Sequence, residues 1–213
     1  MEYPLITYAI IGITVFTSYR AFNDPYLKQR MMFNPFIVVR DKDYQRIVTS
    51  GLIHADYMHL LVNMWVLYMF GTSVEAYFQM LFGFAGGFLY ALVYILGMVA
   101  SHIPSLINHK DSPYYNSLGA SGAVSAVLFA AILLNPLQGI GLIILPGIYI
   151  PGFIAGFLYL AYSQYMAKRG TDNIGHDAHF MGAVFGFVFT GLLKPALFMN
   201  FYYKVAGWFS SLI

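Results

Sequence analysis

Long apolar segments dominate this chain and limit it to a fold in which most residues avoid water. Charged residues make up 9% of the sequence, whereas ordinary soluble domains carry about 25%. So little charge cannot cover a water-facing surface, and we therefore expect an integral membrane protein in a lipid bilayer. The small net charge of +2 indicates no nucleic-acid partner. The absence of cysteine excludes thiol catalysis and disulfide bonds.

A helix needs about 20 mostly apolar residues to cross the hydrocarbon core of a bilayer. On that criterion the sequence predicts one all-α domain over 1–213, a bundle of six transmembrane helices with a long loop between helices 1 and 2. We interpret the first segment as a retained span and not as a cleaved signal peptide. The predicted spans are 3–19, 57–77, 80–101, 119–135, 139–163 and 177–194, and 196–213 is expected to be an interfacial amphipathic helix.

Two predicted segments have unusual compositions. The fifth span is rich in glycine and proline, which weaken a helix, and both a fixed kinked helix and a moving gate remain open interpretations. The link from Arg20 to Asp56 carries half of the charged residues but also large apolar residues. We expect it to fold against the bundle or the bilayer surface. Its apolar residues include Phe33, Phe36, Ile37, Val38 and Val39.

Polar residues stand near the start of alternate spans: His54, His59 and Asn63 at the second, Ser121 at the fourth and His179 at the sixth. A chain that crosses a bilayer repeatedly enters every second span from the same side. We therefore expect these groups to converge at one shallow depth. Histidine inside a membrane helix is rare and is by default a functional hypothesis, with a structural hydrogen bond to a neighbouring helix as the alternative.

The segment Gly119-Ala120-Ser121-Gly122 places a serine at a predicted helix start. Backbone N–H groups and the positive end of the helix dipole favour an oxyanion there. Small residues are also the usual means by which membrane helices pack, so this pattern alone is weak.

The sixth span complements the fourth. Gly182 and Gly186 lie one turn apart on one face, which lets this helix press against the small residues of the fourth span. Ser121 and His179 then share one depth, since both are about two residues into their predicted helices. Neither Asp56 nor Asp177 is placed to orient the imidazole, so the arrangement predicts a serine–histidine dyad.

His59 and Asn63 are four residues apart and share a helix face. Both side chains donate hydrogen bonds, and with Ser121 they can complete an oxyanion site. His54 lies just before the same helix. For each residue alone, a hydrogen bond between packed helices is the competing interpretation.

At these residues the chain resembles a rhomboid intramembrane serine protease. The motifs are His54-Ala-Asp-Tyr-Met-His59-Leu-Leu-Val-Asn63, Gly119-Ala-Ser-Gly122 and Ala178-His179-Phe-Met-Gly182-Ala-Val-Phe-Gly186, and their order on alternate spans is quite specific.

The resemblance implies that Ser121 is the nucleophile and His179 the general base. It implies that the Ser121 amide, His59 and Asn63 bind the oxyanion, that His54 supports that region, and that Glu75 is structural. No metal or cofactor is implied.

The resemblance also implies substrates, sites and a membrane. Substrates would be transmembrane proteins cut near a small residue in a helix that unwinds easily, with access past the fifth span and the loop 163–177. By family analogy the membrane is a bacterial plasma membrane. The implied site faces outward, whereas lysine and arginine concentrate on the Ser121 side and charge counting places that side in the cytoplasm.

The sequence departs from the family pattern at two places. A Trp-Arg pair common in the first loop is replaced by Tyr44-Gln45-Arg46. Many members carry a tyrosine four residues after the nucleophile, and it stacks on the catalytic histidine. This chain has Ser125 at that position. We expect another aromatic residue, such as Phe180 or Phe185, to support His179.

Two other functions compete with proteolysis. A catalytically silent relative would bind membrane helices without cutting them, and the missing tryptophan and tyrosine are its only support. A metal site or transporter would use ligand-type side chains, but no His-Glu-x-x-His pattern exists. The side chains available to it are His54, His59, His176, Asp177 and His179.

Overall fold

The computed structural model describes residues 3–142, 145–169 and 175–212. These residues are predominantly helical, with one short antiparallel hairpin. The strands are β1 (Gly139–Leu142) and β2 (Leu145–Pro151). The helices are α1 (Leu5–Asn23), α2 (Pro25–Met31), α3 (Pro35–Arg40), α4 (Gln45–Thr49), α5 (Tyr57–Val66), α6 (Thr72–Phe82), α7 (Gly86–Ser101), α8 (Ile103–His109), α9 (Ser121–Leu134), α10 (Gly152–Arg169), α11 (His176–Leu193) and α12 (Ala196–Ser210).

Helix α9 lies at the centre of the bundle, with α7 and α11 as its main neighbours. Nearly all of its residues are buried, and most of them are small or branched aliphatic. Such a helix can be approached closely from several sides because few of its side chains project far. Its enclosure fixes the position of its first residue, Ser121.

Long apolar helices fit a membrane protein. By length and composition, two helical stretches of the described residues can cross a bilayer, Leu5–Asn23 and Tyr57–His109. The second is divided by a turn at Gly83, where φ is 57°. A third is obtained if α11 and α12, which meet at 114°, are counted as one span. The number of six spans therefore stays a prediction.

The predicted fifth span, 139–163, is wrong in its first part. Residues 139–151 form the β1–β2 hairpin, in which Ile140 pairs with Ile150, and α10 begins only at Gly152. Short apolar runs rich in isoleucine suit a strand as well as a helix. Pro146 and Pro151 also remove helix hydrogen bonds. The other predicted helices overlap α1, α5–α6, α7, α9, α11 and α12, with ends that differ by a few residues.

The link between the first two spans contains helices, whereas the sequence predicted a long loop folded against the bundle or the bilayer surface. Helices α2, α3 and α4 occupy it, and Phe33 and Val38 are buried. The Arg46 guanidinium donates to the Asp43 carboxylate at 2.8 Å and to the Met32 carbonyl at 2.8 Å. This arginine therefore joins two parts of the link without a tryptophan beside it.

Glu75 joins three helices from within the bundle. One of its carboxylate oxygens accepts a hydrogen bond from the Ile6 amide at 3.0 Å, and the other accepts from the Thr7 amide at 2.8 Å. The Thr7 hydroxyl donates to the same carboxylate and lies 2.8 Å from the Tyr90 hydroxyl. Glu75 on α6 thus satisfies the first N–H groups of α1, which have no partner within their own helix.

Helix α12 turns back against the end of α9. The Lys204 ammonium donates to the Leu134 carbonyl at 3.3 Å, at the negative end of the α9 dipole. The placement of α12 at a membrane surface stays a prediction.

Candidate active site

The turn before α9 sets the direction of Ser121. Gly119 has a φ of +118°, a backbone conformation that residues with a Cβ rarely adopt. Its amide donates to the Ser50 carbonyl at 2.9 Å. Ala120 precedes the helix and offers no capping side chain. The first N–H groups of α9 are therefore left to whatever enters the space in front of Ser121.

His54 holds the same turn through a hydrogen bond to its backbone. Its Nε2 accepts a hydrogen bond from the Ala120 amide at 3.3 Å, and its Nδ1 lies 3.0 Å from the Ser18 hydroxyl. Burial lowers the pKa of His54 to about 3, so the ring is neutral near pH 7. A neutral ring with its proton on Nδ1 can donate to Ser18 and accept from Ala120. His54 thus connects α1 with the residue next to Ser121.

Glycines bring α9 and α11 into backbone contact. A Cβ added at Gly182 would collide with the Gly122 carbonyl, and one added at Gly186 would collide with the Ala126 carbonyl. On the other side of α9, a Cβ at Gly122 would collide with Ser101 of α7. No larger residue fits at these positions without separating the helices.

This approach brings Ser121 and His179 together. The Ser121 Oγ and the His179 Nε2 are 2.7 Å apart, a hydrogen-bonding distance. Ser121 is the first residue of α9, and His179 lies in the first turn of α11. A serine hydroxyl in contact with an imidazole nitrogen is the arrangement that lets the imidazole remove the hydroxyl proton.

His59 and Asn63 face the same space from α5. The His59 ring lies against Gly119, where an added Cβ would be 2.7 Å from the ring carbon Cε1. The Asn63 side-chain amide donates to the His59 carbonyl at 2.9 Å. An amide nitrogen carries two N–H donors, so this bond leaves a second donor for a ligand.

Two carboxylates near the dyad, both in the described part of the chain, are engaged with backbone amides. Asp56 accepts from the His59 amide at 2.8 Å and caps α5, while Asp177 accepts from the Ala178 amide at 2.8 Å. Among the described residues, no group of three His, Cys, Asp or Glu side chains can hold a metal ion.

Sequence reasoning missed Tyr159 of α10. Its ring lies parallel to the His179 ring within 20°, with centroids 6.3 Å apart, and its hydroxyl is 2.6 Å from the Ser125 hydroxyl. The expectation that Phe180 or Phe185 supports the imidazole is not met at Phe185, which stacks on Phe189 at 5.1 Å. One signal was present, because a buried serine in an apolar helix requires a hydrogen-bond partner.

These groups surround one open cavity of about 840 Å³, a size typical of ligand sites. Part of its wall is polar, with Ser105 of α8 and with Tyr115 and Asn116 of the segment that leads to α9. The expected route past the loop 163–177 falls partly on 170–174, which lie outside the described residues. The residues that line the cavity around the dyad are His59, Asn63, Ser121, Ser125, Tyr159 and His179.

Comparison with known proteins gives one family. A model of the rhomboid domain matches residues 41–196. The chain is 29% identical over 193 residues to RHOMBOID-like protein 12, mitochondrial, of Arabidopsis thaliana, which covers 82% of this chain and 53% of that protein. It is 29% identical over 146 residues to Presenilin-associated rhomboid-like protein A, mitochondrial, of Danio rerio. That match covers 68% of this chain and 36% of that protein. The chain thus spans about half or less of the length of these relatives.

Proposed function

The chain belongs to the rhomboid family, and from that premise we propose that it is an intramembrane serine endopeptidase. The observation that carries the proposal is the 2.7 Å separation between the Ser121 Oγ and the His179 Nε2. A nucleophile and a base at this distance can act without a third residue between them. The uncapped start of α9 supports the same chemistry, because it offers backbone N–H groups beside the nucleophile.

In the proposed reaction, the Ser121 Oγ attacks the carbonyl carbon of a peptide bond while its proton passes to the His179 Nε2. The resulting oxyanion accepts hydrogen bonds from the Ser121 amide and from the side chains of His59 and Asn63. His179 then gives the proton to the leaving amine, and the acyl group remains on Ser121. A water molecule from the cavity, deprotonated by His179, releases the acyl group and restores the hydroxyl.

The supporting residues have separate roles in this proposal. His54 and Gly119 shape the turn that directs Ser121. His54 accepts a hydrogen bond from the Ala120 amide, and Gly119 adopts the positive φ of the turn. Gly122, Gly182 and Gly186 set the distance between the two reacting side chains, because they allow backbone contact of α9 with its neighbours.

We propose that the substrates are transmembrane helices. A peptide bond in a regular helix is shielded by its own side chains, so the substrate must unwind locally to reach the Ser121 Oγ. We place the protein in a bacterial plasma membrane as a multi-pass protein, by analogy of the family pattern. The two relatives from Arabidopsis thaliana and Danio rerio are mitochondrial proteins by name.

The test compares the parent with Ser121→Ala and His179→Ala in liposomes that contain a single-span reporter protein. We expect cleavage by the parent and a loss of at least about 10³-fold in both variants. A fluorophosphonate probe should label the parent and leave Ser121→Ala unlabelled. Ser210→Ala is the matched control, because Ser210 is an exposed serine of α12 and should leave both readouts unchanged.

Equal cleavage by the parent and both variants would overturn the proposal. So would a parent that binds the reporter helix without any cleavage product, the result expected of a silent, helix-binding relative. Unchanged cleavage in the presence of a chelator separates the dyad from a metal-dependent hydrolase.

A further inference from the structure

We propose that Tyr159 is a positioning residue for His179 and that Ser125 holds Tyr159 in place, an inference that rests on the proposed function. Ser125 is too short to reach the imidazole itself. The aromatic ring that faces His179 therefore comes from the neighbouring helix, α10, and the serine of α9 binds its hydroxyl.

The contacts of Tyr159 fix its ring at both ends. Its hydroxyl is 2.6 Å from the Ser125 Oγ, and its ring lies 5.9 Å from the ring of Phe129, with a tilt of 46°. Both partners belong to α9, the helix that carries Ser121. The position of the Tyr159 ring beside His179 is thus fixed relative to α9, which carries Ser121, as well as relative to α10.

The ring of Tyr159 limits one motion of His179. The imidazole can rotate about its bond to Cβ, and such rotation moves Nε2 away from the Ser121 Oγ. A parallel ring on one face, with centroids 6.3 Å apart, is within the range of favourable aromatic pairs. It favours the rotamer in which Nε2 points to Ser121.

Ser125 lies on the same face of α9 as Ser121, because the two are four residues apart. Ser125 is 4% exposed, so its hydroxyl depends on Tyr159 for a partner, and loss of a buried partner is costly. Positions 125 and 159 therefore form one unit, and each is explained by the other.

The experiment measures the rate at which a fluorophosphonate labels Ser121 in each variant, together with kcat and KM for the reporter. Tyr159→Ala should lower the labelling rate and kcat about tenfold with little change in KM. Tyr159→Phe and Ser125→Ala keep a ring near the imidazole and should each lose about two- to threefold. Phe157→Ala is the matched control, because Phe157 is an exposed residue of α10 two positions from Tyr159.

A rescue separates positioning from general structural damage. The double variant Tyr159→Ala/Ser125→Tyr moves the ring from α10 to α9, into space vacated by the first change. It should regain labelling above Tyr159→Ala alone. The pH profile of the labelling rate should shift in Tyr159→Ala and return toward the parent in the double variant, since it reports the protonation of His179.

The outcomes distinguish this inference from the proposed function. A parent that is active, with Tyr159→Ala equally active, overturns only the role of Tyr159. A parent that neither cleaves nor labels overturns both. If Tyr159→Ala unfolds at a lower temperature than Phe157→Ala, the labelling rates of Tyr159→Phe and of the double variant decide whether Tyr159 positions His179. Absence of rescue in the double variant contradicts the inference.

Discussion

Helix α9 makes two different contacts at the site, one with α11 and one with α10. Against α11 it packs backbone to backbone, through Gly122 and Ala126 on one side and Gly182 and Gly186 on the other. Against α10 it packs through side chains, and Gly156 there would bring an added Cβ within 2.9 Å of the tip of an isoleucine. The first contact has no adjustable part, whereas the second can rearrange by rotation of side chains.

This difference assigns separate geometric tasks to the two neighbours. The contact with α11 sets the distance between the Ser121 Oγ and the His179 Nε2, because both residues lie where the two helices begin. The contact with α10 sets the orientation of the imidazole through Tyr159. A dyad therefore depends on a rigid interface for its separation and on an adaptable one for its alignment.

The largest effect is expected when the rigid interface is disrupted. Gly182→Ala and Gly186→Ala each add a Cβ that collides with a carbonyl of α9, so the helices must separate. Overpacking typically costs about 1–3 kcal/mol, and a displacement of about 1 Å can cost about 10²-fold in rate. We expect fluorophosphonate labelling to fall by that factor and the unfolding temperature to drop.

The control for these variants is Gly12→Ala in α1, where an added Cβ meets nothing within 4 Å. It should leave the labelling rate as in the parent. If Gly182→Ala and Gly186→Ala behave like this control, the two interfaces do not differ in the way described.

A pH experiment probes the turn that leads into α9, which His54 holds and which lies outside both interfaces. Because the pKa of His54 is lowered to about 3 by burial, the folded protein leaves this ring neutral while the unfolded chain binds a proton near pH 6.5. Stability from this residue is thus fully present above about pH 6.5 and is lost as the pH falls toward 3. Relative to pH 7.5, we expect on the order of 2 kcal/mol less stability at pH 5 from this group.

Reversible unfolding in mixed micelles at several pH values measures this effect. His54→Gln should have a shallower dependence on pH than the parent, and Tyr159→Phe should keep the slope of the parent. Identical slopes for His54→Gln and the parent would show that another group carries the pH dependence.

The smallest effect is expected at the adaptable interface. Gly156→Ala places a Cβ 2.9 Å from the Ile132 Cδ1, which can move by rotation of the isoleucine side chain. We expect a loss of less than about 1 kcal/mol in stability and less than about threefold in labelling. Ile132→Val in the same chain should relieve the contact, and a loss as large as that of Gly182→Ala would contradict the comparison.

Sequence reasoning reached the rigid interface more easily than the adaptable one. The family resemblance is confirmed by the match over 41–196. The approach of α9 and α11 follows from local information, since glycines one turn apart predict a close helix contact. Which residues act in catalysis stays a prediction until the variants are measured.

The adaptable interface escaped prediction for a specific reason. Three tyrosines of α10, Tyr159, Tyr162 and Tyr165, are candidates to meet Ser125, and the rotation of the helix decides among them. That rotation depends on where α10 begins. The sequence predicted a helix from residue 139, but the hairpin occupies 139–151, and hydropathy alone does not distinguish a short buried strand from a helix.

Helix α1 precedes the segment that matches the family domain, yet it contacts that segment at both ends. Near its start the Thr7 amide donates a hydrogen bond to the Glu75 carboxylate, and near its end Ser18 lies beside the His54 ring. A chain cut at residue 41, the first residue of the match, would leave an acid and an imidazole without these partners at the same time. Boundaries drawn from family similarity are therefore a poor guide for shortening this protein, since the omitted helix completes the polar contacts of the part that remains.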